Sequence, residues 1–222
     1  MGLWHDFLTH RGRIIHKWTQ YFPAYERHLG RFCNLPVTMV EIGCGHGGSV
    51  QMWKRYLGPH AQIVGVDIKD DAKLYEADQI AIRIGDQSDP DFLAGLVEEF
   101  GPIDIVLDDG SHRMDDVRAS FRELYPTLSP RGVYVVEDMH TSYWERKGGG
   151  LGNPNSFMEN CKGMIDELHA HHSDAGLEPT EFTRTTLSMH FYDGIVVFER
   201  GRHRPGVSVP AGTIARNQPS PE

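Results

Sequence analysis

What this chain lacks narrows its function early. Its 222 residues include only three cysteines, Cys33, Cys44 and Cys161, and none forms a Cys-x-x-Cys pair. So sparse and odd a set excludes a disulfide framework or a cysteine-built metal site and points to a reducing compartment. No apolar run approaches the ~18 residues of a membrane span, so no transmembrane helix is expected. The N-terminus, MGLWHDFLTHRGR, lacks a basic region followed by an apolar stretch and a small-residue cleavage site. No secretory signal is read there, and the expected location is the cytoplasm. Surplus positive charge is missing too. The formal charge of −9 works against binding phosphate backbones, so nucleic acid is not an expected partner, and without an apolar span neither is a membrane. Histidine is plentiful, at thirteen. His169, His171 and His172 cluster, but no cysteine or carboxylate completes a ligand set around them, so they read as a solvated helix end.

Length and patterning give the organisation. At 222 residues the chain is one generous domain with short appendages. Residues 1–35 read as an N-terminal helical cap of one or two helices, with Ile14, Ile15, Trp18, Tyr21 and Phe22 on a shared face. Short apolar runs then predict strands at 37–42, 63–68, 80–84, 103–107 and 133–136. Helical stretches lie between them at 49–57, 70–77, 89–100 and 115–128. Strands alternating with helices at this spacing predict a parallel sheet with helices on both faces. Residues 147–154 read as a flexible glycine loop and 157–171 as a helix. Residues 181–191 read as a strand, Tyr192-Asp193-Gly194 as a tight turn, and 195–199 as a last strand. The closing hairpin makes the sheet mixed and seven-stranded. The main domain spans 36–200. Residues 201–222, with four prolines and little apolar material, read as a flexible tail.

The strand ends carry the chemistry. The first strand runs into Glu41-Ile-Gly-Cys-Gly-His-Gly-Gly48, where Gly43 and Gly45 let the backbone turn sharply and approach a ligand, and Ser49 opens the next helix. Glu41 is expected on the rim of this loop. Asp67 ends the second strand, where an acid can accept both hydroxyl hydrogens of a ribose. Asp86 and Gln87 end the third, an acid and an amide suited to an adenine edge. Dinucleotide sites share such features, so an NAD-dependent oxidoreductase stays open. The pattern E-x-G-x-G-x-G, however, resembles the first motif of class I methyltransferases that use S-adenosylmethionine (SAM). That resemblance implies their α/β Rossmann-like fold.

The fourth strand delivers Asp108 and Asp109, and the fifth Glu137 and Asp138. Four acids side by side repel one another unless a cation compensates. Mg²⁺, with hard oxygen ligands and open positions, is the simplest. Asp109, Glu137 and Asp138 are the candidate ligands. Asp108 is expected to face the cofactor, because strand neighbours point to opposite sides. His112 follows Asp109 by three residues and is a candidate general base for a hydroxyl, since histidine titrates near neutrality. His140 is a second candidate, or a substrate contact. Tyr143 and Trp144 suit a sugar, because aromatic faces stack on pyranose C–H faces. The 147–154 loop is a candidate lid.

The stretch 104–144, DIVLDDGSHRMDDVRASFRELYPTLSPRGVYVVEDMHTSYW, resembles the metal-dependent sugar O-methyltransferases of macrolide and related glycoside pathways. The resemblance spans roughly 37–199. It implies that the acid of D-G-S-H and the E-D pair, here Asp109, Glu137 and Asp138, hold Mg²⁺, and that His112 is the base. It also implies a carbohydrate or glycoside acceptor, and gives Tyr21 a place over the cofactor. Arg131 stands where the family has a glycine in its P-G-G turn. Among shorter relatives the chain is also similar to 1-O-methyltransferases of methylmannose polysaccharide synthesis, which implies a 3-O-methylmannose-type acceptor. Catechol-type O-methyltransferases remain an alternative, although they follow the second metal aspartate with asparagine where this chain has Glu137-Asp138. A homodimer is the expected assembly.

Overall fold

Five apolar runs bounded by glycine, proline and acidic residues become parallel strands, and the closing hairpin adds two more. The computed structural model describes residues 2–174 and 176–212. Its strands are β1 (Thr38–Ile42), β2 (Gln62–Asp67), β3 (Ile80–Ile84), β4 (Ile103–Asp108), β5 (Leu128–Val136), β6 (Thr186–Tyr192) and β7 (Ile195–Arg200). They form one sheet in the order β3-β2-β1-β4-β5-β7-β6, with β7 antiparallel to β5 and β6. This is the seven-stranded mixed sheet expected of a class I SAM-methyltransferase fold. The order reverses at β1, between β2 and β4. That switch opens a crevice beyond the carboxyl ends of the strands, where ligands bind in open α/β sheets.

Helices α1 (Leu3–Leu8), α2 (Phe22–Leu29) and α3 (Gly48–Leu57) cover one face; α4 (Pro90–Phe100), α5 (Met114–Leu124) and α6 (Phe157–Leu168) cover the other, and the short α7 (Glu181–Thr185) precedes β6. The two-residue period of the strands splits the core accordingly. Met39, Ile63, Ile105 and Val133 pack with Tyr25, Trp53 and Leu57; Val40, Val64, Val106 and Tyr134 pack with Leu93, Phe121 and Phe157. Local chemistry sets several boundaries. Asp89 caps α4 by accepting from the Asp91 and Phe92 amides ahead of Pro90, and Ser156 caps α6 by accepting from the Glu159 amide.

Several expectations need correcting. No helix spans Ile14–Trp18. Residues 9–18 run irregularly between α1 and a 3-10 turn at Thr19–Tyr21, leaving Ile14 and Trp18 exposed. The segment is tied to its surroundings instead: the Arg13 amide donates to Gln51 Oε1, and Lys17 reaches into the sheet edge. Residues 70–75 form 3-10 turns rather than an α-helix. The predicted strand over 181–191 begins as α7, because Thr180 and Thr183 form a capping box, and turns extended only at Thr186. The 147–154 loop is closed by hydrogen bonds. The Gly149 and Gly150 amides donate to Trp144 and Ser142 carbonyls, and the Asn153 side-chain Nδ2 to the Gly148 and Gly149 carbonyls. The start of the tail is likewise held, with the Gly201 and His203 amides donating to Thr185 and Arg184. The rest of that predicted segment, 213–222, lies outside the described residues. Among the described residues no helix is long and apolar enough to cross a membrane.

Candidate active site

Two adjoining cavities open at the strand ends. One, of about 430 Å³, is lined by Gly43, Gly45, Asp67, Asp86, Gln87 and Asp109, so β1 to β4 all contribute. The other, of about 370 Å³, shares Gly43, Gly45 and Asp109 and adds Ile14, Lys17 and Ser49. Asp67 Oδ2 accepts from the Gly45 amide at 3.0 Å, fixing the glycine loop against β2. Asp86 accepts from the Ser88 amide and hydroxyl, which hold its carboxyl below the usual range. Gln87 lines the first cavity, but its Oε1 accepts from the Ser111 amide and its Nε2 donates to Asp108. Its amide therefore braces the β4 turn.

Three side chains predicted to meet the cofactor lie elsewhere. Glu41 is fully buried beneath the loop rather than on its rim, accepting from the Ser49 hydroxyl and the Trp53 indole. Burial pushes its pKa up, against the pull of Lys17. Asp108 faces away from both cavities; it is 1% exposed and accepts from Gln87, Ser120 and Tyr134. Alternation along β4 did separate Asp108 from Asp109, but Asp109 is the one facing the two cavities. Tyr21 is buried, and its hydroxyl donates to Asp138 Oδ1 at 2.6 Å rather than covering a cofactor.

Two of the three predicted metal ligands converge with His112, and Glu137 stands outside that group. Asp109, His112 and Asp138 each place a ligating atom within 4.8 Å of the others. His112 Nε2 lies 3.8 Å from Asp109 Oδ1 and 3.5 Å from Asp138 Oδ2. His112 and Asp138 both adopt left-handed backbone, φ 55° and 54°, conformations that persist in non-glycine residues only where the surroundings hold them. Glu137, 3% exposed, offers Oε1 to the Tyr25 hydroxyl at 2.6 Å and to Lys17 at 2.9 Å. Burial, then the charge of Asp109, pushes its pKa up. Lys17 Nζ also meets Asp109 Oδ2 at 2.6 Å and Glu41 Oε1 at 3.3 Å. Burial favours the neutral amine, but the three carboxylates outweigh it and hold Lys17 well above its ordinary value.

Beside this cluster lies an aromatic patch. The His140 ring sits 6.0 Å from Trp18 and 5.1 Å from Trp144, and the Arg146 guanidinium lies 4.2 Å over Trp144. Trp18 and Trp144 remain 52% and 37% exposed, so their rings keep surface for a ligand. Tyr143 is exposed and makes none of these ring contacts. A separate apolar cavity of about 550 Å³ between α5, α6 and α7 contains none of the predicted residues.

A family model described as a methyltransferase domain matches residues 40–139, the span from β1 to just past Asp138. Over 90% of its length the chain is 36% identical to a mycinamicin VI 2''-O-methyltransferase of Micromonospora griseorubida, and covers 52% of it. Over 81% it is 40% identical to an 8-demethyl-8-alpha-L-rhamnosyl tetracenomycin-C 2'-O-methyltransferase of Streptomyces olivaceus, and covers 50% of it. The solved structure of MycE methyltransferase from the mycinamycin pathway, in complex with Mg, SAH and mycinamycin VI, superposes with a TM-score of 0.79 at 34% identity. That superposition takes in 90% of this chain and 53% of MycE. The chain is similar to these O-methyltransferases along most of its own length. It spans about half the length of the relatives it matches.

The sequence alone does not announce what Lys17 and Tyr25 contribute. Lys17 and Tyr25 reach acids 92 and 112 positions away, and no local pattern signals such pairing. The spacing of Trp18 predicts a place on a shared helix face, yet it lies exposed on an irregular segment. Its neighbour Lys17, a cation in an aromatic stretch, was the available clue.

Proposed function

We propose that the chain is an O-methyltransferase that uses SAM and Mg²⁺ to methylate a hydroxyl of a sugar or glycoside. The observation that carries this is the convergence of Asp109, His112 and Asp138 beside the cavity of the glycine loop. In this reading Gly43, Gly45, Asp67 and Asp86 line the SAM site, with Ser49 and Gln87 bracing it. Asp109 Oδ1 and Asp138 Oδ2 are hard oxygens turned toward one another's surroundings, a set that fits Mg²⁺. Asp109, Glu137 and Asp138 would hold it. When bound, SAM supplies an electrophilic methyl group, and Mg²⁺ supplies positive charge that favours ionisation of the acceptor hydroxyl.

The chain's own residues do the rest. His112 Nε2 takes the hydroxyl proton, and the flanking Asp109 and Asp138 carboxylates stabilise the imidazolium that forms. The strained backbone at residues 112 and 138 fixes base and carboxylate in advance. Trp18, His140 and Trp144 offer the faces on which a pyranose stacks, and the exposed Tyr143 precedes Trp144 in the chain. The sparse reduced cysteines suit a cytoplasmic enzyme, and a homodimer is the proposed assembly.

The test is a screen of glycoside acceptors, including a 3-O-methylmannose-type acceptor of polysaccharide synthesis, with methyl-labelled SAM. Mass and linkage analysis of the product would follow. Label on a sugar oxygen is the expected result. Label only on catechols would move the reading to phenol methylation, and binding of NADH but not S-adenosylhomocysteine in calorimetry would return it to an oxidoreductase.

A further inference from the structure

Lys17 sits where a buried lysine is hardest to explain as packing. Its side chain is 2% exposed, and it lies on an irregular segment rather than a helix of the core. Within 3.3 Å of its ammonium lie one oxygen each of Asp109, Glu137 and Glu41. The bonding is divided in a particular way. Asp109 gives Oδ2 to Lys17, Glu137 gives Oε1 to Lys17 and Tyr25, and Asp138 gives Oδ1 to Tyr21. Asp109 Oδ1 and Asp138 Oδ2 point instead toward His112. Residues 17–25 thus hold each acid by one oxygen, and the second oxygens of the two aspartates converge on the other side.

We propose that Lys17 is an internal counter-cation: it keeps the carboxylate cluster folded and oriented before a divalent cation enters. This rests on the reading of Asp109, Glu137 and Asp138 as metal ligands. Groups that orient ligands from behind in this manner tune a metal site without touching the ion. Removing one partner from a buried ion pair leaves uncompensated charge, whereas removing charge from both sides does not. An entering dication supplies the missing charge from the other side. Lys17 is therefore a positioning residue, and its loss makes stability depend on the metal.

The experiment is thermal unfolding of the whole chain in EDTA and in saturating MgCl₂, for wild type, Lys17→Met and Lys17→Met with Glu137→Gln. Lys17→Met is expected to lower Tm in EDTA by about 10 °C. Saturating Mg²⁺ should return more than half of that, a larger gain than the wild type shows. The double variant should lose less in EDTA than Lys17→Met alone. If Lys17→Met does not fold in EDTA, folding of the double variant there supports the proposal and its failure overturns it. A Tm loss of equal size with and without Mg²⁺ overturns it as well, since a merely structural lysine behaves that way. Calorimetry on the wild type separates the two readings. Mg²⁺ binding without rescue of the variant overturns the role of Lys17 alone, and no Mg²⁺ binding overturns the metal assignment together with it.

Discussion

Gly43 and Gly45 look equivalent in sequence, yet the structure makes them different, and alanine at each separates two demands on the loop. Both have positive φ, 84° and 53°, so alanine at either costs about 1 kcal/mol of backbone strain. A Cβ at Gly43 would stand 2.2 Å from the Asp109 carbonyl oxygen and 2.7 Å from the Gly110 Cα. Those are backbone atoms, so no side-chain rotation relieves the overlap. Overpacking of this kind adds about 1–3 kcal/mol. A Cβ at Gly45 would meet nothing within 4 Å, because it enters the space of the two cavities. For a chain this size ~1 kcal/mol moves Tm by about 2–4 °C. Gly43→Ala should therefore lower Tm of the ligand-free protein by about 10 °C, and Gly45→Ala by about 3 °C. Binding of S-adenosylhomocysteine should fall at least tenfold in both, in Gly45→Ala with little loss of stability. Thermal unfolding by circular dichroism and titration calorimetry measure the two effects. A Gly43→Ala protein no less stable than Gly45→Ala would refute the reasoning.

Further predictions concern other parts of the site. Asp108→Asn should cost about 1–3 kcal/mol of stability, because Ser120, Gln87 and Tyr134 all address that carboxylate, and leave Mg²⁺ affinity unchanged in calorimetry. Asp109→Asn should weaken Mg²⁺ at least tenfold; equal effects of the two would contradict the assigned directions of these neighbours. Trp18→Ala and Trp144→Ala should each raise KM for a glycoside acceptor about fivefold, the equivalent of ~1 kcal/mol of ring contact, with KM for SAM unchanged. Far from the site, Glu199 is raised by burial, but hydrogen bonds from His28 and Arg31 outweigh this and hold its pKa below the ordinary value. Its stabilisation should be complete above about pH 5 and fade as pH falls below about 4.3, the unfolded value, through the depressed folded one. The Tm gap between wild type and Glu199→Gln should close over that range, and a gap constant to pH 3 would contradict the ion pair.

The strands and the cavity were legible because their signals are local. Apolar runs such as Ile80–Ile84 end in the acids and glycines that line the crevice, and two-residue alternation separates Asp108 from Asp109. Which of the pair faces the cavities was not legible. That depends on α5, whose Ser120 and the neighbouring Gln87 turn Asp108 inward. Glu41 went underneath rather than to the rim because Ser49, Trp53 and Lys17 satisfy it there. The segment at Ile14–Trp18 forms no helix for a related reason. Its apolar spacing suits one, but an ion pair with acids more than 90 residues away overrides local preference.

The most direct test of the central claim is the initial rate of methyl transfer from labelled SAM to a glycoside that the screen identifies. It would be measured for wild type and His112→Ala, with Mg²⁺ and after complete chelation. Loss of the base should slow the wild-type rate by about 10²–10⁴-fold, and chelation should abolish it until Mg²⁺ is restored. Transfer that proceeds undiminished in His112→Ala, or that survives chelation, would contradict the account.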